Sequence, residues 1–195
     1  MAAEKAEKKK RKVAWGITGA GDKIAEYIEA MKQIKKEYKD TVVIHVFLSK
    51  AAETVLKFYR LEDEVKRNFA KVTVELNSNA PFLAAWMQMR KYEFLLIAPA
   101  TSNTVAKIAN SIGDTLLTNA AIMSLKAFAP VYIAPTDYEE GVVYTKLPNG
   151  KEMKLRVRKE EVEQVKKLQR MEDVFVLENP QKISAVFKER FSQTP

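Results

Sequence analysis

Three clusters of small, hydroxyl and amide residues have the chemistry to hold an anionic cofactor: Thr18-Gly19-Ala20-Gly21, Ser49-Lys50-Ala51-Ala52 and Ala98-Pro99-Ala100-Thr101-Ser102-Asn103-Thr104. Each follows an apolar run and precedes a stretch with helical spacing. A strand that stops at such residues where a helix begins presents backbone N–H groups and hydroxyls at a positive helix end, which suits an anion. The plain alternative is a polar turn with a good N-cap, the commoner meaning of any one cluster. Glycines at 16, 19 and 21 let backbone approach a ligand closely. Their spacing lacks the full G-x-G-x-x-G pattern, so dinucleotide binding is not indicated. His45, the only histidine, lies inside an apolar run and reads as a core or strand-edge residue. No catalytic residue and no metal site are assigned.

The elements that position these clusters follow from the hydrophobic pattern. Val13–Ile17, Val42–Leu48, Val72–Leu76, Phe94–Ile97 and Val131–Pro135 read as strands. Helical spacing runs over Lys23–Glu37, 53–70, Pro81–Met89, Asn103–Ser111 and Leu116–Ala127. Nearly continuous apolar strands that alternate with helices predict an α/β fold: a doubly wound, Rossmann-like parallel sheet flanked by helices, with ligands at the carboxyl ends. After Pro135 the pattern changes. Val142–Thr145 and Met153–Val157 flank Pro148-Asn149-Gly150, which predicts an antiparallel β-hairpin arm over about 140–158. An amphipathic helix, a last strand at Val174–Leu177 and a terminal helix complete the chain.

The 195 residues fit one domain, expected over 12–195 and preceded by a basic, disordered tail at 1–11. No apolar run is long enough to cross a bilayer and no secretory signal is visible, so a soluble, cytoplasmic protein is expected. The chain has no cysteine, which excludes disulfides, thiolate nucleophiles and ordinary iron–sulfur ligation. Redox chemistry would need a bound cofactor. The net charge of +8 divides evenly: residues 1–12 hold six basic and two acidic side chains, and the remaining 27 basic and 23 acidic residues give the other half. A mixed-charge body disfavours nucleic-acid binding, and the basic excess suits an acidic partner or anionic ligand.

Taken together, Gly16-Ile17-Thr18-Gly19-Ala20, the strand-end Ser49, and Pro99-Ala100-Thr101-Ser102-Asn103-Thr104 with Ala106-Lys107-Ile108-Ala109-Asn110 and Asp114-Thr115-Leu116-Leu117-Thr118 resemble the flavoprotein family of homo-oligomeric flavin-containing cysteine decarboxylases. The likeness covers roughly 12–135 and is nearest to the archaeal flavoprotein branch. It implies FMN as cofactor, held by Gly16, Thr18, Gly19, Ser49, Ala100, Thr101, Ser102, Thr104 and Asn119, at a subunit interface in a trimer-based homo-oligomer. The family's decarboxylases carry an active-site histidine and a P-x-M-N-x-x-M-W clamp. Here the corresponding stretch is Pro135-Thr136-Asp137-Tyr138-Glu139-Glu140, which disfavours decarboxylation. Flavin prenyltransferases carry an arginine where Asn119 stands and another near 135, so prenyl transfer is disfavoured too. The remaining expectation is electron transfer from ferredoxin, an acidic donor, to an unidentified acceptor. The alternative is FMN-dependent reduction of a pterin-like substrate, with the hairpin arm as a lid.

Overall fold

The computed structural model describes residues 10–192. Six parallel strands, β1 (Arg11–Ile17), β2 (Val42–Leu48), β3 (Lys71–Val74), β4 (Leu95–Ala100), β5 (Val131–Pro135) and β8 (Val174–Val176), form one sheet in the order β3-β2-β1-β4-β5-β8. The chain winds outward from β1 through β2 to β3, then returns to β4 on the other side of β1. The strand order therefore reverses between β1 and β4, and in open α/β sheets the crevice at such a point binds ligands.

Helices cover both faces because the strands are apolar on both. Val13, Trp15, Ile17, Phe94, Leu96 and Ala98 point to the layer of α1 (Ile24–Glu37), α2 (Lys50–Phe58), α3 (Glu62–Asn68) and α8 (Lys182–Phe191). Ala14, Leu95, Ile97, Val131 and Ile133 point to the layer of α4 (Leu83–Gln88), α5 (Ser102–Ala109), α6 (Leu116–Lys126) and α7 (Lys159–Leu168). A hydrophobic core on each face is the doubly wound solution. Trp15, fully buried, donates from Nε1 to Ala98 O at 2.7 Å and ties β1 to the end of β4.

The hairpin stands apart from the sheet. Strands β6 (Gly141–Lys146) and β7 (Glu152–Val157) pair antiparallel, and Gly150 takes the left-handed conformation (φ 81°) that the turn requires. Only Thr145 and Val157 are buried in the arm, while Val142, Tyr144 and Leu155 face solvent. Its tip end reaches back across the carboxyl side of the sheet, where Tyr59 Oη donates to Lys146 O at 3.4 Å.

Of the boundaries that differ from the sequence reading, two have a plain physical cause. Arg11 opens β1 instead of closing the tail: it pairs with Val42, and its guanidinium bonds Glu93 at 3.0 Å and the Arg190 carbonyl at 3.3 Å. The remainder of the expected tail, 1–9, lies outside the described residues. The 53–70 stretch is two helices, because Arg60 adopts φ 58° between α2 and α3.

Candidate functional site

Thr18 closes the junction at the switch point. Its Oγ1 donates to Pro99 O at 2.9 Å and accepts from Thr101 N–H at 2.9 Å, so the ends of β1 and β4 are bound to one buried hydroxyl. Thr101 then caps α5: its side chain accepts from Thr104 N–H at 3.3 Å and pairs with Thr104 Oγ1 at 3.0 Å. Ser49 caps α2 by accepting from Ala52 N–H at 3.0 Å. Thr115 and Thr118 form a reciprocal capping box at the start of α6. Three capped helix starts thus meet the carboxyl ends of β1 to β4, each placing first-turn N–H groups in one region.

Between them lies a cavity of about 420 Å³, lined by Thr18, Gly19, Ser49, Lys50, Ala51, Glu75, Thr101, Asn103, Thr104, Thr115 and Leu117. The backbone N–H groups of Gly19, Ala51 and Asn103 have no acceptor among the described residues, and the exposed Asn103 side chain is free to turn to a ligand. Unsatisfied donors at helix starts, beside hydroxyls, form a set suited to an anion. Gly19 is required by close packing, since a Cβ there would sit 2.6 Å from Ala51 Cβ.

Five of the nine expected residues, Thr18, Gly19, Ser49, Thr101 and Thr104, line this cavity. The other four are placed differently. Gly16 is inside β1, and a Cβ there would meet Leu117 Cδ2 at 2.6 Å, so its bareness admits α6 to the sheet. Ala100 is fully buried at the end of β4, with its carbonyl accepting from Thr136 N–H at 3.0 Å. Ser102, the first residue of α5, turns toward Asp137 on the far side of the junction. Asn119 is one turn into α6 and directs its amide to Ser78 O at 2.9 Å and Asn79 Oδ1 at 3.0 Å, holding the loop after β3. Lys50, Ala51, Glu75, Asn103, Thr115 and Leu117 complete the lining. Lys50, Ala51 and Asn103 belong to the clusters visible in sequence, and Thr115 and Leu117 to the Asp114–Thr118 motif, whereas Glu75 arrives with no local signal.

A second cavity, of about 350 Å³, lies across the β1–α1 loop and is lined by Asp22, Lys23, Tyr27, Pro135, Thr136, Tyr138, Glu139, Val143, Val157, Glu178 and Asn179. Tyr138 Oη donates to Glu178 at 3.3 Å. Nearby, burial raises the Asp137 carboxyl above its usual range, with the charges of Glu161 and Asp22 adding to the effect against hydrogen bonds from Ser102 and Thr136. Burial foremost, aided by Asp22 and Glu26, also raises the Tyr27 phenol.

His45 sits on β2 as expected. Its Nδ1 is 2.9 Å from Tyr92 Oη, well removed from either cavity lining. Desolvation, followed by the charges of Lys71 and Lys12, lowers its pKa. No cluster of metal-ligating side chains is present among the described residues, and no helix among them is long and apolar enough to cross a membrane.

A switch-point crevice whose strand ends and helix starts converge on unpaired donors is the arrangement of a cofactor-binding α/β protein. The Flavoprotein family model matches residues 1–190, and the chain belongs to that family. Among its relatives is an uncharacterized protein of Methanocaldococcus jannaschii, 46% identical over 175 residues that cover 90% of this chain and 93% of that protein. A dihydromethanopterin reductase (acceptor) of the same organism is 31% identical over 239 aligned positions, covering 92% of this chain and 96% of that one. Among solved structures, Burkholderia xenovorans DmrB in complex with FMN, described as a cubic protein cage for redox transfer, superposes with a TM-score of 0.79. It is 33% identical, with coverage of 95% of this chain and 97% of that chain.

Proposed function

We propose that this chain, acting as one domain over 12–195, binds FMN in the donor-rich cavity and serves as an FMN-dependent reductase of a pterin-like substrate. The observation that carries the reading is the set of unpaired N–H groups on Gly19, Ala51 and Asn103, gathered with the hydroxyls of Ser49, Thr101 and Thr104 at the switch point. A terminal phosphate needs several such donors, and helix starts supply them without reorganisation. The remainder of the cavity wall, Thr115 and the apolar Leu117, suits the edge and face of a ring. When bound, FMN supplies the redox chemistry, because it takes electrons singly or in pairs.

The residues of this chain bind and orient. Thr18 fixes the spacing of β1 and β4, the caps of α2, α5 and α6 fix the direction of their N–H groups, and the hairpin crossing above Tyr59 shields the carboxyl edge as a lid. The likeness to a dihydromethanopterin reductase and to a redox-transfer cage supports reduction of a heterocycle over decarboxylation. The departure from the decarboxylases' clamp at Pro135–Glu140 argues in the same direction, as does the single histidine among the described residues, His45, being turned to Tyr92. Electrons enter from an acidic carrier of the ferredoxin type, for which the basic excess provides steering, and copies of the chain assemble into a trimer-based oligomer in the archaeal branch of the family.

Anaerobic mixing of FMN-loaded, pre-reduced protein with a dihydropterin, followed on the flavin band, tests this reading. Reoxidation of the flavin with stoichiometric loss of the dihydropterin is expected. A flavin that stays reduced with pterins yet exchanges electrons with ferredoxin would leave a carrier instead.

A further inference from the structure

Glu75 is the one acidic residue that lines the donor-rich cavity. It follows β3 and is only 8% exposed. Its Oε1 accepts from Leu116 N–H at 2.8 Å, at the first turn of α6, and its Oε2 accepts from Lys50 N–H at 3.4 Å, at the first turn of α2. Backbone continues the ladder, with Glu75 N–H donating to Leu48 O at 2.8 Å, so the side chain is fixed from both ends. Two helix starts therefore converge on one buried carboxylate in a cavity otherwise lined by hydroxyls, backbone N–H groups, Lys50 and the apolar Leu117. Lys50, exposed at the rim, is the other charged residue of that lining.

Resting on the FMN reading above, we propose that Glu75 sets the redox equilibrium of the bound flavin by opposing negative charge in the cavity. Two-electron reduction of flavin with uptake of one proton leaves an anionic ring, whereas uptake of two protons leaves it neutral. A carboxylate in a poorly solvated cavity interacts with a second negative charge far more strongly than it would in water. The anionic product is penalised, the neutral one is favoured, and the equilibrium shifts toward the oxidised form. Removing the charge has a second effect of the same sign. The starts of α2 and α6 then present uncompensated positive ends to the cavity, which stabilises added electrons.

Potentials of FMN-loaded wild type, Glu75→Gln and Glu75→Asp, measured by anaerobic dithionite titration against a reference dye, test the proposal. Glutamine keeps an oxygen to accept from Leu116 N–H and lacks the charge. It is expected to shift the equilibrium toward reduced flavin by about tenfold or more, about 30 mV for a two-electron couple. Aspartate keeps the charge and stays nearer to wild type. A potential in the glutamine variant that is unchanged or lower overturns the proposal while leaving FMN binding intact. The wild type gives an independent reading, needing no variant: at pH 8 the potential should follow pH with two protons taken up per two electrons. Uptake of a single proton there contradicts the proposal. A wild type that binds no FMN overturns the cofactor reading itself, and this inference falls with it.

Discussion

The two cavities on either side of the β1–α1 loop have similar volumes and opposite chemistry. One, between β1, β2 and β4, is surrounded by helix starts and hydroxyls, with Glu75 as its single carboxylate. Its neighbour, beneath β5, β8 and the root of the hairpin, gathers Asp22, Glu139 and Glu178 around Tyr27 and Tyr138. The polarity difference follows from topology. Strands that end under α2, α5 and α6 deliver N–H groups, whereas β5 ends in a segment leading to the hairpin and contributes side chains instead. An anion is drawn to the first and repelled by the second.

Gly19→Val should break the contrast most completely. A Cβ at Gly19 already meets Ala51, so the larger side chain displaces the start of α2 and fills the donor cavity. Calorimetry or quenching of flavin fluorescence should show FMN affinity falling by about a hundredfold or more. Glu178→Gln, placed in the acidic cavity, should leave that affinity within about twofold. A large loss in the second variant and none in the first would assign the cofactor to the wrong cavity.

Thr101→Val removes the α5 cap and the partner of Thr104, while Thr18 Oγ1 still donates to Pro99 O and accepts from the backbone N–H of position 101. A cap of this kind contributes about 1 kcal/mol, and chemical denaturation should register a loss of that order. FMN affinity should fall by about tenfold, since the cap directs the N–H groups of α5.

Asp137, beside the acidic cavity, predicts a smaller, opposite effect. Asp137 has its carboxyl pKa raised by burial. The folded state therefore holds the proton more tightly than the unfolded chain, and the site destabilises the fold as pH rises from about 3.8 through the raised value. Asp137→Asn should gain a little stability at pH 7 and none below about pH 3.5, read from paired melting curves. A loss at pH 7 would show that its contacts with Ser102 and Thr136 outweigh desolvation.

His45 gives a control remote from both cavities. Its folded pKa is lowered, so the unfolded chain binds the proton more readily and stability falls as pH drops below about 6.5. His45→Gln should flatten the melting-temperature profile between pH 7 and 5 relative to wild type, without altering FMN affinity. An identical profile would remove this account of the His45–Tyr92 pair.

How much of this was legible in the sequence depends on the range of the interactions. Strands β2 and β5 have the expected limits, and the hairpin turn at Pro148-Asn149-Gly150 was marked by local backbone preference. The caps at Ser49 and Thr101 are local too, since a hydroxyl reaches an N–H three residues on. Glu75 is different: its partner Leu116 is 41 positions away, and nothing around Val74 announces a carboxylate seated on two helices. Gly16 and Asn119 show the converse. Their residue types fit a ligand site, but side-chain packing from α6 fills the space beside Gly16, and the loop at Ser78 and Asn79 takes the Asn119 amide. Five of the nine residues implied by the resemblance line the proposed cavity, and tertiary contacts decide which of their atoms face it.

The central claim is that the donor-rich cavity binds FMN, and equilibrium titration of purified, flavin-free protein with FMN tests it most directly, with Gly19→Val measured alongside. The account predicts saturable uptake of one FMN per chain by the wild type, a bound-flavin absorption band, and strongly weakened uptake by the variant. A wild type that stays colourless in excess FMN, or a variant that binds it equally well, would contradict the account.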